Sequence, residues 1–232
     1  MRRSTAFALG LLAQFAAFGA LAAPTRAQQV TVVEEVTEES VEVEPGAGRF
    51  VAPASPARVP KGMAAYGPFR VIDGSHAALV DITDERSPAA FAAMLAAHPG
   101  IAVLELVECP GTDDDRANLA LGRMIRARGL ATHVPDGGSV RSGAVELFLA
   151  GVRHSAEHGA EFAVHAWADE DGREPGDYGA NAPENRAYLD YYREMGMSGI
   201  EARAFYDMTN AVPNASARWL NAAQMAQWVR YN

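Results

Sequence analysis

Between Phe69 and Val134, short apolar stretches alternate with helical ones, and this rhythm limits the possible folds more than any other feature of the chain. Phe69 to Ile72 and Ala77 to Ile82 read as two strands separated by the turn Asp73-Gly74-Ser75. Ser87-Pro88 opens a helix, with serine as N-cap and proline in the first position, and Phe91, Met94 and Leu95 share one face. Pro99-Gly100 stops it. Ile101 to Val107 is then an almost unbroken apolar run, the pattern of a strand covered on both faces in a parallel sheet. After Cys109-Pro110-Gly111-Thr112 a second helix, from about Asp114 to Arg128, carries the stripe Ala117, Leu121, Met124 and Ile125, and Gly129 caps it. Leu130 to Val134 returns as a strand. Strand, helix, strand, helix, strand implies right-handed crossovers and an α/β fold.

The segment that follows carries the chemistry. Gly137-Gly138-Ser139-Val140-Arg141-Ser142-Gly143-Ala144 is a glycine-rich turn that delivers Ser142 to the start of an apolar helix over Val145 to Gly151. Phe162-Ala163-Val164-His165 then places a histidine at the end of an apolar strand. A serine at a helix start lies among backbone N–H groups, which favour developing negative charge. Acyl transfer needs such donors and a nucleophile beside a base. The same residues also fit an N-cap serine and a buried structural histidine.

Composition narrows the partners. The net charge of −9 argues against nucleic acid and anionic membrane surfaces. Cys109 is the single cysteine, so no internal disulfide or cysteine-based zinc site can form. Met1-Arg2-Arg3 followed by the apolar run Ala6 to Ala22 and small residues reads as a secretory signal peptide over residues 1–27. That run is shorter than the ~20 residues of a membrane span and is broken by Gly10, Gln14 and Gly19. An exported protein of the periplasm or cell envelope, soluble after cleavage and not integral to the membrane, is expected. Residues 28–63 read as a flexible tether, with Glu34, Glu35, Glu38, Glu39, Glu42 and Glu44 followed by Pro/Gly-rich segments. The compact domain is expected over residues 64–232.

The order of these pieces resembles the Clp protease proteolytic subunit and its exported relatives in the Clp/crotonase superfamily. The carriers are the strand end Cys109-Pro110-Gly111-Thr112, the crossover helix, the serine turn, the helix ending in Ala150-Gly151, and Arg153. Phe162 to His165, a helix around Tyr188 to Met195-Gly196, and the closing Arg218 to Met225 (a strand, then a short capped helix) agree. The resemblance covers about residues 66–230 and implies a single α/β domain, a Clp/crotonase-type spiral of ββα units. It implies a serine peptidase or related acyl hydrolase with Ser142 as nucleophile, His165 as general base, and the N–H groups of Gly111 and Gly143 as oxyanion donors. It puts the orienting acid in the helix after Met195-Gly196, where Asp207 is the candidate, a direct register gives Phe205, and Asn210 is the fallback. A peptide or other acyl substrate, no cofactor and no metal follow, and a homo-oligomer by analogy.

Three positions depart from the family pattern. Thr112 replaces the second glycine of the strand-end motif and adds a side chain where a substrate backbone would lie. Cys109 stands in place of serine. Arg141 precedes the nucleophile, where it either obstructs the site or recruits a substrate carboxylate. Other chemistries are weighed against this one. A Ser-Lys dyad is disfavoured because Lys61, the only lysine, lies in the tether. His154 and His158 have helical i, i+4 spacing for a metal, but Gly159 breaks that helix. Coenzyme A thioester chemistry suits the fold but not export. Asp169 to Asn181 reads as a mobile loop or lid. The alternative function is a catalytically inactive envelope binding or scaffold protein on the same fold.

Overall fold

The computed structural model describes residues 55–231, so the stretch read as a signal peptide and most of the one read as an acidic tether lie outside the described residues. The chain enters through β1 (Ala64–Tyr66), β2 (Phe69–Val71) and β3 (His76–Leu79), followed by α1 (Ser87–Ala97). One unit of two strands and a helix then repeats. It comprises β4 (Val103–Leu106), β5 (Glu108–Cys109) and α2 (Asp115–Ala127). The second copy is β6 (Ala131–Val134), β7 (Ser139–Arg141) and α3 (Ala144–Leu149). The third is β8 (Arg153–Ala156), β9 (Glu161–Val164) and α4 (Pro183–Glu194). The chain closes with α5 (Gly199–Thr209), β10 (Arg218–Asn221) and α6 (Ala222–Met225).

Each repeat gives its first strand to one sheet and its second to another. The larger sheet runs β1-β2-β3-β4-β6-β8, parallel from β3 onward, and the smaller runs β10-β9-β7-β5, with β5, β7 and β9 parallel. This is a mixed α/β fold with parallel sheets. The apolar run Ile101 to Val107, expected as one strand, is where the chain changes sheets. The Val107 N–H donates to Leu79 in the larger sheet at 3.0 Å, and its carbonyl accepts from Ser139 at the start of β7 at 3.0 Å. An apolar run covered on both sides carries no mark of which sheet each residue joins.

The core joins Phe69, Phe91, Leu104, Leu121, Phe148, Phe162, Tyr191 and Phe205, all fully buried. Each such side chain contributes on the order of 1.5–3 kcal/mol of transfer free energy. Gly122 of α2 is a glycine because a Cβ there would stand 1.9 Å from the Tyr191 hydroxyl. Two local expectations are corrected. Ser87 lies inside α1 rather than capping it; Arg86 takes the N-cap position, and Ser87 instead exchanges hydrogen bonds with Asp84, each at 2.9 Å. The stretch before β1 is attached, not loose: the Ala57 N–H donates to Gly137 at 2.8 Å and the Met63 N–H to Val71 at 2.7 Å.

Candidate active site

Three neighbouring strands end at one place. β5, β7 and β9 are parallel, with Cys109 opposite Val140 and Val140 opposite Phe162. Their chains continue into Gly111, Ser142 and His165 respectively. The carboxyl edge of parallel strands is where open α/β sheets place ligands, because each strand there delivers a loop to one crevice.

Ser142 is held by the backbone around it. Its φ of 51° makes it the only non-glycine residue with positive φ among the described residues. Such a conformation costs an L-residue on the order of 1–3 kcal/mol and persists only where the surroundings impose it. Here the Ser142 N–H donates to the Ala163 carbonyl of β9 at 2.9 Å, and its carbonyl accepts from Val145 at 2.9 Å. The result is a sharp strand-to-helix turn that projects the side chain. Gly111, at φ +131°, backs against it, and its carbonyl accepts from the Thr83 N–H at 3.1 Å. Buried Asn118 fixes the far side, donating to the Gly143 carbonyl at 2.6 Å while accepting from the Thr83 hydroxyl at 3.0 Å.

His165 follows β9, and its Nδ1 lies 2.8 Å from the Ala166 carbonyl. That acceptor requires the proton on Nδ1, which leaves Nε2 as the basic nitrogen. The Asn214 amide nitrogen lies 3.3 Å from the same Nδ1 and donates to the same carbonyl at 2.9 Å. Asn214 is placed by the chain after α5: the Val212 carbonyl accepts from Ala166 at 2.9 Å, and the Asn214 N–H donates to Glu174 at 2.8 Å. Sequence reasoning missed Asn214 because it searched within the helix, whereas the chain returns to His165 only beyond Pro213.

The other candidates for the third position fall elsewhere. Asp207 is on the solvent side of α5, with 60% of its side chain exposed and an ion pair to Arg203 at 3.2 Å, so it is not brought to the site. Phe205 is fully buried against Tyr192 and Trp228. Asn210 does line the cleft, but its amide bonds the Tyr206 carbonyl at 2.7 Å.

Arg141 is a further correction. It is 4% exposed and absent from the cleft wall, because β7 directs it to the other face of the smaller sheet. There it donates to the Ser139 hydroxyl at 2.5 Å and pairs with Glu108. It neither obstructs the site nor faces a substrate. Thr112 does line the cleft; its methyl would stand 2.6 Å from a Cβ on Gly143, and its hydroxyl donates to the Thr83 carbonyl at 3.2 Å. Cys109 is buried, and desolvation raises its thiol far above the usual range, as suits a packed, unreactive residue.

Ser142, Gly143 and His165 open onto one cleft of 1270 Å³, walled by the start of α2, by α3, by α4 and by the segment after His165. Glu146 of α3 is buried in its wall and accepts from the Tyr192 hydroxyl at 2.7 Å; desolvation pushes its carboxyl up to about 7. The stretch read as a mobile loop is tied together. Arg173 pairs with Asp169 at 2.8 Å and Asp171 at 3.0 Å, and the Tyr178 hydroxyl donates to Asp169. His154 sits on strand β8, so its spacing to His158 is not helical, and among the described residues no cluster of His, Cys, Asp and Glu is arranged to hold a metal. Among the same residues no helix is long and apolar enough to cross a membrane.

No protein-family profile matches the chain, and no curated protein sequence matches it. Solved structures are similar to it, two of them as follows. A ClpP1 point mutant from Listeria monocytogenes is 13% identical, with 67% of this chain and 88% of that one covered at a TM-score of 0.48. A lysine mutant of the 1510-N membrane-bound stomatin-specific protease, in complex with a substrate peptide, is 12% identical, with 64% and 71% covered at a TM-score of 0.42.

Proposed function

We propose that the protein is a serine hydrolase acting on peptides or related acyl compounds, exported through the signal segment at residues 1–27. The observation that carries this reading is the imposed positive φ of Ser142 at the end of β7, between Gly111 and the strand that bears His165. An ordinary N-cap serine adopts extended backbone and needs no such strain.

In this mechanism the Ser142 hydroxyl oxygen attacks the acyl carbonyl carbon while its proton passes to Nε2 of His165. The Ala166 carbonyl holds Nδ1–H and so fixes the tautomer, with Asn214 packed alongside. The N–H groups of Gly111 and Gly143 receive the developing oxyanion, a contribution of roughly 3–4 kcal/mol for a well-placed donor. The imidazolium returns its proton to the leaving group as the carbonyl re-forms. Water then repeats the sequence on the acyl-serine and releases the acid. Proton transfer through a positioned histidine accounts for about 10²–10⁴-fold of the rate.

The test is covalent labelling with a fluorophosphonate. Wild-type protein is expected to be labelled, and Ser142→Ala and His165→Ala are expected to lose labelling with little change in melting temperature. Equal labelling of wild type and Ser142→Ala would remove the assignment and leave an inactive binding protein as the reading.

A further inference from the structure

The cleft beside Ser142 is strongly one-sided in charge. Eight carboxylate residues line it against three arginines. Two of those arginines are already engaged, Arg123 with Glu194 at 2.5 Å and Arg173 with Asp169 and Asp171. Most of the acids sit on the rim, where water screens them. Glu146 does not. It is 7% exposed, lies one helical turn beyond Ser142 on α3, and still forms part of the cleft wall.

The surroundings of Glu146 are built from tyrosines. The Tyr192 hydroxyl donates to its carboxyl, the Tyr191 hydroxyl donates to its backbone carbonyl at 2.6 Å, and Tyr188 stands in the same wall. From the facing helix α2, solvent-exposed Asp115 enters the cleft close enough to raise the Glu146 carboxyl; Tyr188 hydrogen-bonds Asp115, and the charge of His165 acts on it in the lowering direction. Among the described residues Glu146 takes part in no ion pair. A carboxyl taken out of water without a cation is costly, and the like charge of Asp115 at the exposed mouth adds to the cost of ionising Glu146. Close packing would normally replace Glu146 with an apolar group. Here it faces an open cavity that Tyr188 and Tyr192 also line, and aromatic rings attract cations.

We propose that this recess is a specificity pocket for a basic side chain, with Glu146 and Asp115 receiving the ammonium or guanidinium of a lysine- or arginine-like group beside the bond that Ser142 attacks. The proposal rests on the hydrolase reading only for the last clause; the pocket itself stands on cavity, burial and charge. Tyrosine faces match the apolar stem of such a side chain, and the two carboxyls match its charged head. Burial raises the Glu146 carboxyl, and partial desolvation in the cleft raises Asp115, so an arriving cation restores the ionised forms that the empty pocket disfavours. The preference is opposite to the one expected from Arg141, because that arginine points to the other face of the sheet.

The experiment measures binding apart from turnover. Full-length Ser142→Ala is titrated calorimetrically with three acetylated tripeptide amides that differ only in their last residue: lysine, norleucine or glutamate. Norleucine keeps the stem and removes the charge. The lysine peptide is expected to bind about tenfold or more tighter than either other, as a charged hydrogen bond in a partly dry site implies. Adding Glu146→Gln, which keeps the acceptor for Tyr192, is expected to reduce that ratio to roughly threefold or less, and Asp115→Asn to lower it in part. Equal affinity for all three peptides, no binding of the lysine peptide, or selectivity that survives both substitutions together would overturn the pocket. Fluorophosphonate labelling separates the two readings. A lysine preference without labelling keeps the pocket and removes the hydrolase; labelling without the preference does the reverse.

Discussion

Gly111 and Ser142 are in such close contact that a Cβ on the glycine would stand 3.0 Å from the serine Cβ and 3.4 Å from its hydroxyl oxygen. The two residues come from different strands, so their contact fixes the spacing between the strand end after β5 and the turn after β7. Gly111 also holds φ +131°, which an L side chain rarely adopts. Gly111→Ala is therefore expected to destabilise the fold by roughly 1–3 kcal/mol, a fall of several degrees in melting temperature for a chain of this size. It should also displace Ser142 and abolish fluorophosphonate labelling. Thermal denaturation and labelling of the one variant check both effects, and unchanged values would mean that the two residues do not touch in solution.

Asn214, not Asp207, should govern the histidine. The Asn214 amide is bound to the carbonyl that orients His165, whereas Asp207 is engaged with Arg203 in solvent. Asn214→Ala is expected to slow labelling of Ser142 by about 10²-fold, through loss of ring orientation, with a modest change in stability. Asp207→Ala should leave labelling rate and stability near wild type. Rates of labelling across a pH series distinguish the two, because mispositioning His165 also shifts the apparent pKa of the reaction. Equal effects from both substitutions would contradict the geometry.

The repeating strand–helix rhythm was legible in the sequence because helix ends carry local signals: Pro99-Gly100 after α1, Asp114 capping α2 with a 2.8 Å bond from Ala117, and Gly129 at φ +69° behind it. The serine turn was legible for the same reason, through Gly137, Gly138 and Gly143. The division into two sheets was not, since Val107 and Glu108 look alike to any pattern of period two whichever sheet receives them. Arg141 was misplaced for a related reason. Its neighbour Ser142 faces the cleft, but alternation along β7 sends the preceding side chain to the opposite face, toward Glu108. Asn214 depends on a tertiary return of the chain that no local signal announces.

Arg141 should act on stability and leave selectivity alone. Its guanidinium is buried between Glu108 and Ser139, and the Glu108 side chain is only 32% exposed. Arg141→Ala is expected to cost roughly 1.5–3 kcal/mol, the range for hydrogen bonds to charged groups. Removing both charges, in Arg141→Met with Glu108→Gln, should cost less than the sum of the single changes, because no partner is stranded. Chemical denaturation of the four proteins gives the coupling. Matched neutral and acidic ester substrates should be distinguished no differently by Arg141→Ala than by wild type. A change in that selectivity would return the arginine to the cleft.

Glu146 should make the protein less stable as pH rises through neutrality. Burial lifts its carboxyl from 4.5 to about 7 in the folded chain, despite the Tyr192 hydrogen bond that opposes the rise. The groups around it do not reverse this. Asp115 of α2 adds a like charge; Tyr188, Tyr191 and Tyr192 of α4 are themselves pushed to higher values and stay neutral; Arg123 and Arg126 of α2 act on Tyr191. Because the folded value exceeds the unfolded one, the folded state binds the proton more tightly. The associated stability is complete below pH 4.5 and is lost progressively as pH climbs through about 7. Its ceiling is about 3 kcal/mol, since each tenfold difference in proton affinity between the two states is worth about 1.4 kcal/mol. Asp73 and Asp169 move the opposite way, so their contributions fade only in acid, below the ordinary carboxylate range. Glu146→Gln cannot ionise and should remove the decline between pH 5 and 8 while leaving the acid limb intact. Denaturant unfolding of wild type and Glu146→Gln at several pH values across that window measures it. Parallel stability curves for the two proteins would show that Glu146 ionises in the folded state as freely as in the unfolded one.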